Sequence, residues 1–259
     1  MKRVAIVTGA SSGIGKEFFL SLTQKQEELD EIWVIARSEE RLNALRELSP
    51  LPLKVIPLDL SSPQATGLLT GVFKTETPSV KYLICASGFG HFGGVETDDI
   101  AVLENMIDLN CRSLVALTKI ALPYLEKGGL VMLVASMAAF QPIPYIATYG
   151  ATKAFVLSYG RALNQELKKR DARCLCVCPF WTKTAFFERA TATSGDNVVK
   201  KYTVMYEPSQ IVKRAWKDAK KKRRDVSIYG FVARWQRRLV KLMPHRLIMR
   251  IWLRQQKLK

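Results

Sequence analysis

Little in this 259-residue chain points to export, membrane crossing or covalent cross-linking. It opens Met1-Lys2-Arg3-Val4 with no hydrophobic leader and holds only five cysteines, so neither secretion nor a disulfide framework is expected and a cytoplasmic location is. The longest apolar runs, such as Leu130 to Ala135, fall far short of the roughly 20 residues that a spanning helix needs. Residues 1–210 contain no internal repeat and no low-complexity linker. Acids are scarce at one end only. Residues 213–259 hold 17 lysines and arginines against Asp218 and Asp225, a net charge of +15, while residues 1–212 carry the remaining +2 of the total +17. A neutral body with a basic tail directs the charge argument to the tail. With 48% hydrophobic residues, the chain is neither disordered nor fibrous.

Val4 to Val7 is a β-branched run that ends in Thr8-Gly9-Ala10-Ser11-Ser12-Gly13-Ile14-Gly15 and continues with apolar residues at helical spacing. Similar buried-strand runs recur at Ile32 to Ala36, Lys54 to Leu58, Tyr82 to Ala86, Leu130 to Ala135 and Arg173 to Cys178, with helices expected near 39–48, 62–76, 99–126 and 150–170. Apolar strands alternating with helices predict an α/β fold, a single-domain Rossmann-type doubly wound parallel sheet. After Pro208 the pattern becomes basic and amphipathic. The expected division is a dinucleotide-binding and catalytic domain over 1–210 and a helical C-terminal extension over 211–259.

Glycines at 9, 13 and 15, after a strand and opening a helix, allow a tight turn and close approach of backbone to a pyrophosphate, with Ser11, Ser12 and Ile14 on the same turn. At the end of the second strand, where an acid would accept a ribose 2′-OH, stand Arg37 and Ser38. A guanidinium there suits a 2′-phosphate and so NADP(H), the rival reading being a solvated arginine beside Glu39 or Glu40. Asp59 and Leu60 follow the third strand, where Asp59 serves either an adenine edge or a helix cap.

Tyr149 and Lys153 lie at i and i+4 on one helix face. A phenol is a poor acid-base group at neutral pH, and a neighbouring cation lowers its pKa. Ser136 follows the fifth strand, at the carboxyl edge where such sheets bind ligands. Taken alone, Tyr149 also reads as a half-buried helix tyrosine. In combination these residues resemble the classical short-chain dehydrogenases/reductases, hydroxysteroid-dehydrogenase-like members included. Thr8 to Gly15 is similar to the family's glycine motif, Tyr149 to Lys153 to its Tyr-x-x-x-Lys motif, Ser136 to its serine and Asn110 to its helix asparagine.

The resemblance implies that Tyr149 exchanges a proton with the substrate oxygen, that Lys153 lowers the phenol pKa and holds the nicotinamide ribose, and that Ser136 orients the oxygen. It also implies that Asn110 supports a water relay to Lys153. Two segments depart from the family pattern: Cys85-Ala86-Ser87-Gly88 replaces Asn-Asn-Ala-Gly and Pro179-Phe180 replaces Pro-Gly. Ala86, Ser87, Gly88 and Pro179 are still expected at the cofactor, with Thr182 or Thr184 at the carboxamide. A homo-oligomer, dimer or tetramer, is implied through the helices near 100–120 and 150–170.

Segments 89–97, 137–147 and 180–207 are rich in aromatics, and Phe140, Tyr145, Phe180, Trp181 and Phe186 join Ser136 and Tyr149 as expected substrate contacts for a bulky hydrophobic molecule. The same aromatics would also serve to pack a lid. His91 is expected in a solvated loop, the rival reading being a place at the pocket mouth. Cys174, Cys176 and Cys178 alternate along a strand and are expected as buried hydrophobes, with no metal site.

In the tail, Phe231, Trp235, Leu239 and Leu242 oppose Arg234, Arg237, Arg238 and Lys241, and Leu247, Ile248, Ile251 and Trp252 oppose Arg246, Arg250 and Arg254. Residues 230–259 therefore suit a membrane surface on the cytoplasmic side, packing against the domain or another subunit, or an acidic partner. Nucleic acid is not expected, because the charge lies on helices with greasy faces. The function expected is an NADP(H)-dependent oxidoreductase on a steroid or other lipid, with a 3-oxoacyl thioester reductase and a non-catalytic NADPH sensor or scaffold as alternatives.

Overall fold

The computed structural model describes residues 1–191 and 198–258. Seven parallel strands form one sheet: β1 (Arg3–Thr8), β2 (Glu31–Ala36), β3 (Leu53–Pro57), β4 (Ser79–Cys85), β5 (Leu125–Val134), β6 (Arg173–Val177) and β7 (Val226–Ser227), in the order β3-β2-β1-β4-β5-β6-β7. Strand side chains alternate between two cores. Val4 and Ile6 enter one with Leu69, Leu117 and Val156, and Ala5 and Val7 enter the other with Phe18, Leu22 and Ile211. Helices α1 (Gly13–Leu22) and α8 (Pro208–Ala219) cover the second face, and α3 (Ala65–Glu76), α5 (Ser113–Ala121) and α6 (Ala147–Leu167) cover the first. Each fully buried Phe or Leu contributes about 1.5–3 kcal/mol, so strands such as β1 need no alternation of polar residues. The order reverses between β1 and β4, where the chain leaves the sheet in opposite directions and opens a cleft.

Three local features differ from the pattern in the sequence. The helix expected over 99–126 is broken into α4 (Ile100–Ile107), a π-helical turn at Asp108–Arg112, and α5. The wide turn rotates Asn110 into the interior, where it is 1% exposed. The α-helix stops at Ala121, a 3₁₀ turn over Leu122–Tyr124 takes in Pro123, and β5 begins at Leu125, five residues earlier than its apolar stretch, passing Gly128 at φ +75°.

Beyond residue 210 the sheet layer continues. Ile211, Val212 and Ala215 of α8 are buried against α1, and β7 pairs with β6. Asp218 ties these pieces together: its buried carboxylate meets Arg214 at 2.7 Å and Arg224 at 3.3 Å and accepts a hydrogen bond from Ser227 Oγ. Helices α2 (Glu39–Asn43) and α7 (Phe186–Thr191) are short, and α9 (Phe231–Leu242) and α10 (His245–Gln256) close the chain's helical series. No described helix is long and apolar enough to cross a membrane.

Candidate active site

The cleft begins at the turn after β1. Gly9 and Gly13 adopt positive φ (+67° and +54°), and a Cβ on Gly15 would run into the Gly9 carbonyl, so the turn admits little but glycine. Ser12 caps α1 without a side-chain hydrogen bond and the first turn holds no acid, which leaves helix N–H groups turned to the cleft. Thr8 Oγ1 accepts from the N–H groups of Ala86 and Ser87, both at 3.0 Å, drawing the end of β4 against the turn. Ser11, Ile14 and Gly88 line the same cavity.

At the far end of the cavity stand Arg37, Ser38, Asp59 and Leu60. Arg37 is exposed and has no ion pair with Glu39 or Glu40 among the described residues. Ser38 Oγ caps α2 by accepting from Arg41 N, and this places a second guanidinium, Arg41, on the cavity wall. Asp59 Oδ1 accepts from both the N–H and the hydroxyl of Ser61, a turn that orients its carboxylate while leaving the residue on the wall.

Ser136, Tyr149 and Lys153 meet midway. Ser136 follows β5 and caps the turn Met137–Phe140 by accepting from Ala138 N. Tyr149 sits in the first turn of α6, with the Lys153 Nζ 5.7 Å from its ring centre. That ammonium is 5% exposed as a residue and donates to Val134 O at 3.0 Å. Asn110 does not line the cavity: it accepts from Phe89 N (3.1 Å) and donates to Phe89 O (2.9 Å) and Thr152 Oγ1 (3.0 Å), fixing the backbone behind Gly88. Pro179, Thr182 and Thr184 cross above the glycine turn, and a Cβ on Gly13 would lie 3.2 Å from Thr184 Cγ2.

The remaining wall is apolar, and the cavity encloses about 840 Å³. Phe180, Trp181 and Phe186 line it; Phe140 and Tyr145 do not. Phe140 packs into the sheet core beneath the Arg237 guanidinium, and Tyr145 spends its left-handed turn (φ +64°) offering its carbonyl to Gly93 N. His91 does not sit in a solvated loop. It is buried, with Nε2 2.7 Å from Asp98 Oδ1. Part of the 180–207 segment, residues 192–197, lies outside the described residues, as does Lys259 of the tail.

The family profile for short chain dehydrogenases matches residues 3–195. The chain belongs to the short-chain dehydrogenase family. Among relatives of this short-chain dehydrogenase, an uncharacterised oxidoreductase of Staphylococcus epidermidis is 27% identical over 189 residues, 72% of this chain and 81% of that one. A very-long-chain 3-oxoacyl-CoA reductase of Podospora anserina is 32% identical over 196 residues, 70% of this chain, and the match spans 55% of that protein's length. A solved short-chain dehydrogenase from Sphingobium yanoikuyae in complex with NADPH is 27% identical, with a TM-score of 0.77 and 91% of each chain covered. A 7β-hydroxysteroid dehydrogenase shares the fold, with a TM-score of 0.80 at 21% identity over 96% of each chain.

In this short-chain dehydrogenase, burial governs both titrating groups. It pushes the Tyr149 phenol up to about 12, against which the hydrogen bond with Ser136 pulls it down. Burial likewise pushes Lys153 down to about 8. The lowering of the phenol expected from Lys153 is not what dominates in the folded protein, where the loss of water around the ring sets the direction and Ser136 opposes it. Arg41 and part of the tail also line the cavity, which the sequence did not reveal. Trp235, Leu239, Ile248 and Trp252 line the cavity, and their helical spacing revealed an apolar face without saying what it faces. Cys174, Cys176 and Cys178 are buried under α6 as small hydrophobes.

Proposed function

We propose that this short-chain dehydrogenase is an NADP(H)-dependent oxidoreductase that interconverts a carbonyl and a secondary alcohol on a bulky hydrophobic substrate, a steroid or another lipid. The observation that carries the reading is one continuous cavity that runs from two arginines and a glycine turn, past Ser136, Tyr149 and Lys153, to an aromatic chamber. The residues fit the dinucleotide: Gly9 and Gly13 hold positive φ in a turn that lines the cavity, and the N-terminus of α1 behind them carries no acid and no side-chain cap.

The helix N–H groups at Gly13 to Gly15 would hold the pyrophosphate, Arg37 and Arg41 the 2′-phosphate, Asp59 and Leu60 the adenine end, and Thr182 and Thr184 the carboxamide. The nicotinamide, when bound, supplies or accepts a hydride. Ser136 donates a hydrogen bond to the substrate oxygen, and Tyr149 gives that oxygen its proton during reduction or removes it during oxidation. With its pKa raised, Tyr149 is protonated at neutral pH, the form that donates its proton in reduction. Lys153 presents its charge to the cofactor ribose and to the phenol, while Asn110 holds the Phe89 backbone.

A 3-oxoacyl thioester reductase is the second reading, supported by the relative at 32% identity and by a tail that would suit an acidic carrier. A sensor or scaffold without turnover is disfavoured by the intact Ser136, Tyr149 and Lys153. An oligomer through α4 and α6 is supported by the exposed Ile107 and Phe155 on those helices. Five free thiols suit a cytoplasmic location.

Mixing the protein with NADPH or NADH and a panel of ketosteroids, 3-oxoacyl thioesters and small aldehydes tests these readings together. The expected result is NADPH-dependent reduction of a bulky ketone that falls by about 10²–10⁴ in Tyr149→Phe. Cofactor binding with no turnover, or a fully active Tyr149→Phe, overturns the catalytic reading.

A further inference from the structure

Helices α9 and α10 bury only part of their apolar surface. On α9, Ala233 and Val240 face the body, whereas Phe231 is 74% exposed, Trp235 54% and Leu242 84%. At 3.6 residues per turn these three form one stripe, with the cavity-lining Val232 and Leu239 along one side and Arg234 and Arg238 along the other. The arrangement repeats on α10. Leu247 and Ile251 are exposed between the cavity-lining Ile248 and Gln255 and the outer Arg250 and Arg254.

Trp235 and Ile251 belong both to the cavity wall and to the exposed stripes, so the two stripes border its mouth. Residues 231–258 contain eight lysines and arginines and no acid.

We propose that this face docks on an anionic bilayer surface with the cavity mouth turned into it, so that a lipid-soluble substrate moves from the membrane to Tyr149 without passing through water. The docking stands on the tail alone; the entry route rests on the hydrophobic substrate proposed above. Contiguous exposed apolar side chains mark a contact surface, and basic residues bordering them select a negatively charged one. A second copy is the wrong occupant on electrostatic grounds, because a twofold contact would set each protomer's eight cations against the other's. An acidic protein would satisfy the arginines but gives no reason for the greasy stripes to continue into the cavity.

The test uses the full chain and Phe231→Ser/Leu242→Ser/Leu247→Ser, three exposed positions that do not line the cavity. Each protein is sedimented with vesicles of phosphatidylcholine alone or with about 30% phosphatidylglycerol, at about 0.1 M and about 0.5 M NaCl. Wild type is expected to bind the anionic vesicles, to release them at high salt, and to bind at least about tenfold more tightly than the triple variant. Wild type that ignores anionic vesicles, a variant that binds equally well, or a vesicle-independent dimer that the variant dissociates overturns the docking.

With NADPH present, the variant is expected to lose turnover of a ketone dissolved in the vesicles and to keep that of a water-soluble ketone. Equal rates with wild type on both ketones, or equal losses on both, overturn the entry route. Vesicle binding with no turnover of any substrate removes the oxidoreductase reading and leaves the docking standing.

Discussion

Replacing Lys153 with methionine should stabilise this protein while abolishing its activity. In the fold the ammonium is enclosed, and its pKa falls from 10.5 to about 8. That fall corresponds to a penalty of about 3 kcal/mol for carrying the charge into the interior at neutral pH. Methionine fills much of the same volume without charge. It leaves Val134 O without the donor it now has at 3.0 Å, a loss of about 1 kcal/mol. The net gain is about 2 kcal/mol, and for a chain of this size a Tm higher by about 4–8 °C.

The advantage has a defined pH dependence. Below pH 8 the lysine is charged both folded and unfolded, and the penalty is complete. Between 8 and 10.5 the folded state sheds the proton first, so wild-type stability rises with pH and the difference closes. Thermal unfolding of both proteins at pH 7 and pH 10, beside NADPH turnover, measures this. A Lys153→Met protein that melts no higher than wild type at pH 7, or keeps the same advantage at pH 10, refutes the reasoning.

The other expectations concern each part of the cavity. Arg37→Ala and Arg41→Ala should each raise the KM for NADPH by about 10–100-fold, the loss of one charge-assisted contact of about 1.5–3 kcal/mol, and leave NADH kinetics unchanged. Gly13→Ala, at φ +54° and pressed on Thr184 Cγ2, should cost about 1–2 kcal/mol and weaken cofactor binding more than substrate binding, as titration of each ligand would show. With Tyr149 at about 12, alcohol oxidation should rise by about tenfold per unit between about pH 6 and 8 while ketone reduction stays level; opposite slopes would show that the phenol is ionised at neutral pH. Gln256→Ala should raise the KM for the lipid substrate and spare that for NADPH, because Gln256 Oε1 accepts from the N–H groups of Lys200 and Lys201 at 2.8 and 2.9 Å and its amide donates to Lys201 O.

The parts legible in the sequence are those written over short stretches. Strand β1, the glycine turn and α1 are contiguous, and Tyr149 and Lys153 are one helical turn apart, so spacing alone brings their side chains together. The break in the 99–126 run was not legible, since a π-helical turn adds one residue to an otherwise helical pattern and Asn110 looks like any surface polar residue. Strand β7 has two residues, too few to show a period. The pairing of His91 with Asp98 depends on a loop closing on itself. Most of all, the roof of the cavity is made across the whole chain: Trp252 stacks on Trp181 at 6.5 Å and donates its indole N–H to Pro144 O, a contact between residues 108 positions apart. Amphipathic periodicity showed which faces of α9 and α10 were apolar and left their neighbours unspecified.

That long reach sets the order in which the molecule can become an enzyme during synthesis. The strands that frame the dinucleotide cleft, β1 to β6, are complete once Val177 has emerged, while both cores still wait for later residues, Ile211, Val212 and Ala215 of α8 in one and Val226 and Ile228 in the other. The amide of Gln256 and the indole of Trp252, which close the chamber over Tyr149 and pin the backbone at Lys200 and Lys201, are translated nearly eighty codons later. A ribosome stalled in that interval carries a nascent chain with the cleft's strands complete, its two cores unfinished and no enclosed chamber in which to reduce anything.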